Sequence, residues 1–465
     1  MKKRKKQKGT KPCMTPWLPV FPAAFPAALA AALLCCFGLL EPVAAEGGAG
    51  GKGIGYSGNN SFGDGAVLLT TDDGALHLNA SDPATQPVLL NGVDVAGVIA
   101  VQRSIGREQR RLLAAQRRHI AHLRQHVCRL RTPATSALEV VDWVGGDGFS
   151  QWSGGVLAPN GLIYGIPHSA TSVLILDPAT GAIDTTTISG LPSQYFKWFG
   201  GVLAPNNNAI YCFPSDANVV LRIDPVTNTI AGITGVIDPM GADSPQDLDK
   251  FRGGVVGNNG LIYAAPYHAT FVLIVDPMTD SVDITTLGGL GTLDFKWWGT
   301  AVAPDGRIFG IPDNADAVLI IDPDTNTLDT TSLAGLGEGG AKWSGGVLAG
   351  NGLIYAIPQT HDAVLIIDPA AMTTNTTAIT GLAQDGEARW AGGVLADNGN
   401  VVGIPLDAGA ALVIDTRTHT ADTTTLTGLG AQQSKYVGGA ALAPSGLIYA
   451  IPSLAGSVLV IDPGC

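Results

Sequence analysis

Lys342-Trp343-Ser344-Gly345-Gly346-Val347-Leu348-Ala349 opens the stretch that decides the fold. Gly350-Asn351-Gly352 follows, then Leu353-Ile354-Tyr355-Ala356-Ile357-Pro358, a short loop, and Ala363-Val364-Leu365-Ile366-Ile367-Asp368-Pro369. A Thr-rich run then ends at Gly381-Leu382. The same phrase occurs seven times. Its aromatic recurs at Trp152, Trp198, Phe251, Trp297, Trp343, Trp390 and Tyr436, in steps of 46, 53, 46, 46, 47 and 46 residues. A period of that length with four short strand signals per unit predicts the blades of an all-β propeller.

Each unit reads as four strands. Gly-Gly-Val-Leu-Ala-Pro, as at 154–159, suits an innermost strand, because the glycines fit where backbones crowd an axis. Asn160-Gly161 is a hairpin signal into Leu162–Pro167. Asp177-Pro178 starts the next turn, Asp bonding nearby backbone and Pro presetting φ. Thr-rich 183–188 reads as the outer strand. The last copy stops at Asp462-Pro463-Gly464-Cys465, before any outer strand. The stretch Ala137–Trp143 has no inner strands of its own. It is therefore expected to complete the seventh blade beside Val458–Ile461, closing the ring and removing a free edge.

Ahead of the repeats the chain changes character. Seven Lys/Arg in residues 2–11, an apolar run Ala27–Leu40, and small residues at Val43 and Ala45 predict a secretory signal peptide over 1–45. An uncleaved signal anchor, the only expected membrane attachment, is the alternative. Residues 46–64 read as a Gly-rich linker and 65–97 as a small β segment with turns at Asp72-Asp73-Gly74 and Asn91-Gly92. Over 98–131 apolar residues or Gln recur in steps of four and three, with nine Arg against the single acid Glu108. That pattern predicts a heptad, coiled-coil-like helix ending at Pro133. Self-association through this helix is one reading; docking on the propeller, or binding a polyanion or membrane surface, are the others. The propeller occupies 134–465.

Charge divides the same way. Residues up to 131 hold 17 basic and 8 acidic side chains, whereas 132–465 hold 10 basic and 31 acidic, a net of −21. A head that acidic repels nucleic-acid phosphates. An exported chain makes the sequons at Asn59, Asn79 and Asn375 relevant to N-glycosylation. Of the cysteines outside the leader, Cys128 and Cys465 are candidates for a bridge locking the ring, with Cys128 bridging between helices as the rival. Cys212 reads as buried and inert.

The pattern K-W-x-G-G-V-L-A-P-N-G-x-I-Y-x-I-P, then V-L-x-I-D-P, resembles the seven-bladed propellers that carry NHL, YVTN and gluconolactonase-like repeats. It also looks like uncharacterised secreted proteins built on the same phrase. The resemblance covers 137–465 and implies the fold, not one activity. Gluconolactonase-like enzymes hold calcium in the central funnel through acidic and amide side chains; no such cluster maps here residue by residue.

Candidate sites follow from the two faces. The Asn-Gly and Asp-Pro turns share a lower face and repeat nearly verbatim. The loops before Lys-Trp and after Ile-Pro share an upper face and vary, which is where a rigid scaffold carries function. Lys197, Lys250, Lys296, Lys342, Arg389 and Lys435 form a basic ring at that mouth, with Gln151 in the seventh place. They face either an anionic ligand or nearby loop acids and carbonyls. Trp198, Trp297, Trp343 and Trp390 are either sugar-stacking platforms or core between blades. Asp238, Asp243, Asp247 and Asp249, in the insertion that lengthens the second unit, are a weak calcium-ligand set. His168, His268 and His361 occupy equivalent upper loops. There is no nucleophile elbow and no His-Glu-x-x-His. No cofactor is implied beyond calcium. The expected function is an exported, secreted or cell-surface binding or scaffold module that takes a glycan or protein. The alternative is a calcium-dependent lactonase or esterase-like hydrolase using the funnel.

Overall fold

A computed structural model describes residues 132–140, 150–235, 248–382, 388–430 and 432–464, together with the short strands Val67–Thr70, Leu76–Asn79, Leu89–Leu90 and Val93–Asp94. In the N-terminal unit the first two of those strands pair antiparallel, as do the last two. The signal peptide, the linker and the helix expected over 98–131 lie outside the described residues, as do Cys128 and Cys465.

The repeats form seven four-stranded antiparallel sheets. In the fifth, Trp343–Leu348 pairs with Ile354–Pro358, which pairs with Leu365–Asp368, which pairs with Thr373–Asn375. The seventh takes its first three strands, Tyr436–Leu442, Ile448–Pro452 and Ser457–Asp462, from the chain's end. Its fourth is Ala134–Glu139, with Leu138 opposite Val458 and Ala137 opposite Leu459. The expected closing strand is thus present, but it begins three residues earlier than the sequence pattern suggests, at Ala134.

The axis is built from glycine. Gly154, Gly200, Gly253, Gly299, Gly345, Gly392 and Gly438 all have positive φ, from 67° to 91°. At each the register between first and second strands slips. This bulge turns the strand toward the centre, where the blades meet backbone to backbone. A Cβ on Gly299 would lie 2.8 Å from the Gly345 Cα, and one on Gly345 2.9 Å from the Gly392 Cα. Only glycine tolerates both the dihedral and the contact.

Further out, each blade buries its second and third strands completely or nearly so, and packs them on the next blade. The Trp that opens an inner strand is core: Trp343 is fully buried, and its Nε1 donates to the Ala363 carbonyl at 2.7 Å. Trp198, Trp297 and Trp390 do the same to Val219, Ala317 and Ala410. On the lower face the Asn and Tyr of several repeats latch onto the next blade. Asn160 Nδ2 donates to Tyr164 Oη and to the Pro225 carbonyl, and Tyr449 Oη reaches the Pro178 carbonyl, joining the last blade to the first.

The outer strands are shorter than their Thr-rich sequences suggest. Ile183–Asp184 stops after two residues because the Asp184 carboxylate accepts from the backbone N–H groups of Thr186 and Thr187. Asp283, Asp329, Asn375 and Asp422 bend their strands in the same way. The second blade has no Asp or Asn there, and Thr229–Ile233 runs five residues. Side-chain capture of the backbone, competing with the ladder, sets the strand length.

The glycine ring gives a first test. Gly345→Ala should lower unfolding free energy by about 2 kcal/mol or more, because αL strain and a backbone clash add. Gly288→Ala, with open space around it, should change it by less than about 0.5 kcal/mol. Chemical denaturation of both variants checks this; equal effects would count against the crowded axis.

Candidate functional site

A closed circuit of backbone hydrogen bonds surrounds the upper mouth. The amide of the residue before each inner strand donates to the residue after the previous blade's Pro. Lys197 donates to His168, Lys250 to Ser215, Lys296 to Tyr267, Lys342 to Asp313, Arg389 to Gln359, Lys435 to Leu406 and Gln151 to Ser453, at 2.7–3.1 Å. Each of their carbonyls accepts from the post-Pro residue of its own blade at 2.8–2.9 Å. The circuit places two rings of variable side chains at the mouth. One is the post-Pro ring: His168, Ser215, Tyr267, Asp313, Gln359, Leu406 and Ser453, all buried. The other is the second residue of each inner strand, where Phe199, Trp298, Ala391 and Val437 cluster with Tyr267 and Leu406.

Arg252 enters this cluster from the third blade. Its guanidinium lies 4.2, 4.5 and 4.9 Å from the ring centroids of Tyr267, Trp298 and Phe199. Nη2 donates to Asp249 Oδ2 at 2.8 Å, and Ser215 Oγ donates to Oδ1 at 2.7 Å. Burial alone would raise the Asp249 pKa, but Arg252 and Ser215 hold it below the ordinary value. Asp313 has no cation so placed. Burial pushes its carboxyl up to about 6. The Tyr267 hydroxyl favours the carboxylate, and among the described residues neither oxygen of Asp313 has a donor in hydrogen-bonding geometry. Burial, reinforced by Arg252, lowers His168 to about 3, so it is neutral.

The lysines of the basic ring face inward, and Arg389 is half-buried. Lys197, Lys250 and Lys296 are fully or almost fully buried, and Lys342 and Lys435 nearly so. Lys197 Nζ donates to the Gln194 carbonyl at 2.8 Å and Lys435 Nζ to Gln432 at 2.9 Å. Lys296 reaches His268 and Leu293, and Lys342 reaches Ala315 and Gly339. Desolvation lowers Lys197 to about 8. These lysines therefore brace the loops that precede them.

What those loops expose instead is apolar. Tyr195, Phe196, Leu248, Leu293 and Phe295, directly before Lys197, Lys250 and Lys296, are 37–55% exposed. Phe196 and Phe295 have φ of 54° and 56°. A bulky residue in the left-handed region costs about 1–2 kcal/mol; the dihedral itself belongs to the repeat, since Asp249, Ala341 and Ser434 share it. Phe196 packs on His168 at 5.1 Å between ring centroids, and Phe295 on His268 at 4.5 Å. Asp249, with φ of 52°, occupies the same position between them. Of the two readings the sequence offered for the Trp ring, stacking platforms or core, the structure shows core, and the exposed phenylalanines lie two residues earlier. The signal that could have found them is variation: Phe, Asp, Phe, Ala and Ser fill one repeat position.

Of the acidic loop, Asp238, Asp243 and Asp247 lie outside the described residues, and Asp249 belongs to the Arg252 pair. Among the described residues no three of His, Cys, Asp and Glu converge as metal ligands. The three histidines do not meet as a set: His168 and His268 face different Phe rings, and His361 packs on Trp343. Asn375 is exposed; Asn59 lies outside the described residues, and Asn79 lies on a strand. Cys212 is free and buried, and burial raises its thiol pKa. On the lower face a cavity of about 650 Å³ opens between blades five and six, lined by Asn351, Asn398, Asp415, Thr416, Arg417 and His419. It lies where the repeated Asp-Pro becomes Asp415-Thr416.

Solved structures share this architecture. A streptogramin B lyase matches over 70% of this chain and 97% of its own, with a TM-score of 0.53 at 11% identity. A catalytically inactive virginiamycin B lyase from Staphylococcus aureus, with quinupristin, matches at 0.54 and 10% over 71% and 99%. The extracellular domain of a putative hybrid two-component system from B. thetaiotaomicron matches at 0.54 and 11%, over 71% of this chain and 43% of that one. The chain is a seven-bladed β-propeller. No protein-family model matches it, and no curated protein matches it in sequence. At such identities the likeness extends to the fold alone.

Asp313 supplies a pH test. As pH rises from about 4 to about 6 the unfolded chain loses this proton while the folded one keeps it, so stability falls, by about 3 kcal/mol in all. Asp313→Asn should remove that slope and gain on the parent protein above pH 6, measured by denaturation at several pH values. Parallel pH profiles would refute it.

Proposed function

We propose that the protein is an exported binding module whose recognition surface is the upper rim of blades two to four. The observation that carries this is the pair of half-exposed phenylalanines, Phe196 and Phe295, held in left-handed backbone on the blades either side of the one that carries Arg252 and Asp249. Five blades share this dihedral, but only blades two and four place a bulky aromatic on it, and aromatic side chains are the usual anchors of binding surfaces. The ligand is a glycan or protein, as the variable loops suggest.

Asn accepts αL geometry without the strain of Phe. Phe196→Asn with Phe295→Asn should therefore leave unfolding free energy within about 1 kcal/mol of the parent protein. The same pair should abolish capture of ligands found on a glycan array or in a peptide-display selection. Val226→Ser with Met278→Ser, on the lower turns, should leave capture intact. Ligands that survive the Phe changes and vanish with the lower-face pair would end this reading.

A further inference from the structure

We infer that the rim of blades two to four docks a polypeptide segment carrying basic and apolar side chains together, an inference that rests on the binding-module reading above. The first ground is what the rim exposes. Tyr195, Phe196, Leu248, Leu293 and Phe295 account for five of the eight large hydrophobics that are exposed among the described residues. Two further members of the eight, Val226 and Met278, lie in the lower turns. A monomeric surface scatters such residues singly; gathering them in three neighbouring loops marks an interface. Leucines beside aromatics offer contact area without the hydrogen-bonding groups that a sugar's hydroxyls need.

The second ground is charge. The basic side chains of this rim turn inward. Lys197 and Lys296 donate to loop carbonyls, Lys250 is fully buried, and Arg252 is enclosed by Asp249 and three aromatic rings. Two acids, Asp294 and Asp216, reach solvent instead. The Asp294 side chain is 66% exposed, next to Phe295, and its carboxylate comes within 4.0 Å of His268 Nε2. Asp216 braces the Asp249 amide at 2.8 Å and remains partly exposed. Exposed Phe faces beside carboxylates favour a guanidinium or ammonium through cation–π and Coulomb attraction. The propeller's net −21 adds a field that steers a cationic partner inward.

A random-peptide display library selected on the immobilised full chain, counter-selected on Phe196→Asn with Phe295→Asn, tests this. Selected peptides should combine Arg or Lys with Leu or aromatic residues. Their affinity should fall about 30-fold in the double Phe variant, the scale of a lost anchor. It should fall several-fold in Asp294→Asn, and also as salt rises. Phe196→Tyr with Phe295→Tyr should restore binding, which a purely structural role for the rings would not require. Acidic or uncharged selected sequences, salt-independent affinity, or no enrichment over the counter-selection would overturn the inference. So would a glycan-array ligand abolished by the Phe changes, although that result would leave the binding-module reading standing. Peptides insensitive to every rim substitution but lost in Val226→Ser with Met278→Ser would overturn both.

Discussion

The closed circuit of backbone hydrogen bonds at the upper mouth is the constraint on which the rest depends. It links Lys197 to His168, Lys250 to Ser215 and so on round to Gln151 and Ser453. Because only main-chain atoms take part, the circuit is indifferent to which side chains hang from it. The post-Pro position can hold His, Tyr, Asp, Gln or Leu without disturbing the ring. The residue before each Lys can hold Phe, Asp, Ala or Ser at one left-handed dihedral in five blades. A rigid frame with free choice of side chain is what lets a repeat protein vary its surface at little risk to its fold.

The frame has a second half below. There side chains do the linking: Asn207 and Tyr211 reach the Pro277 carbonyl of the next blade, and Tyr211 also donates to Asp280 at 2.5 Å. That bond and burial, burial first, push Tyr211 up to about 12. Since these contacts depend on residue identity, the lower turns repeat while the upper loops drift. The functional asymmetry of the two faces thus follows from which atoms bear the contacts between blades.

Much of this was legible in the chain itself. The period, the four strands per unit and the returning N-terminal strand follow from Gly, Asn-Gly and Asp-Pro spacing, because those residues dictate local backbone geometry. The outer strands were harder to read, since Asp184 and its equivalents look like ordinary strand ends until their carboxylates are seen to take the next two amides. The direction of the lysines was not legible either. A repeated Lys fits a ligand-facing ring and a loop-bracing ring equally well in one dimension, and only the loop path brings the Gln194 or Gln432 carbonyl to Nζ. The position of the phenylalanines was marked by its variation, but their strain was not, because positive φ leaves no mark when five repeats use four residue types for it.

The borrowed strand Ala134–Glu139 has a temporal meaning. It is among the earliest parts of the propeller to be synthesised, yet its partner Ser457–Asp462 is nearly the last. No shortened chain can finish the seventh sheet, so an interrupted product keeps an unsatisfied edge while a complete one conceals it. The circle therefore cannot shut until every repeat has been made, and a segment from the start of the propeller must wait for its partner.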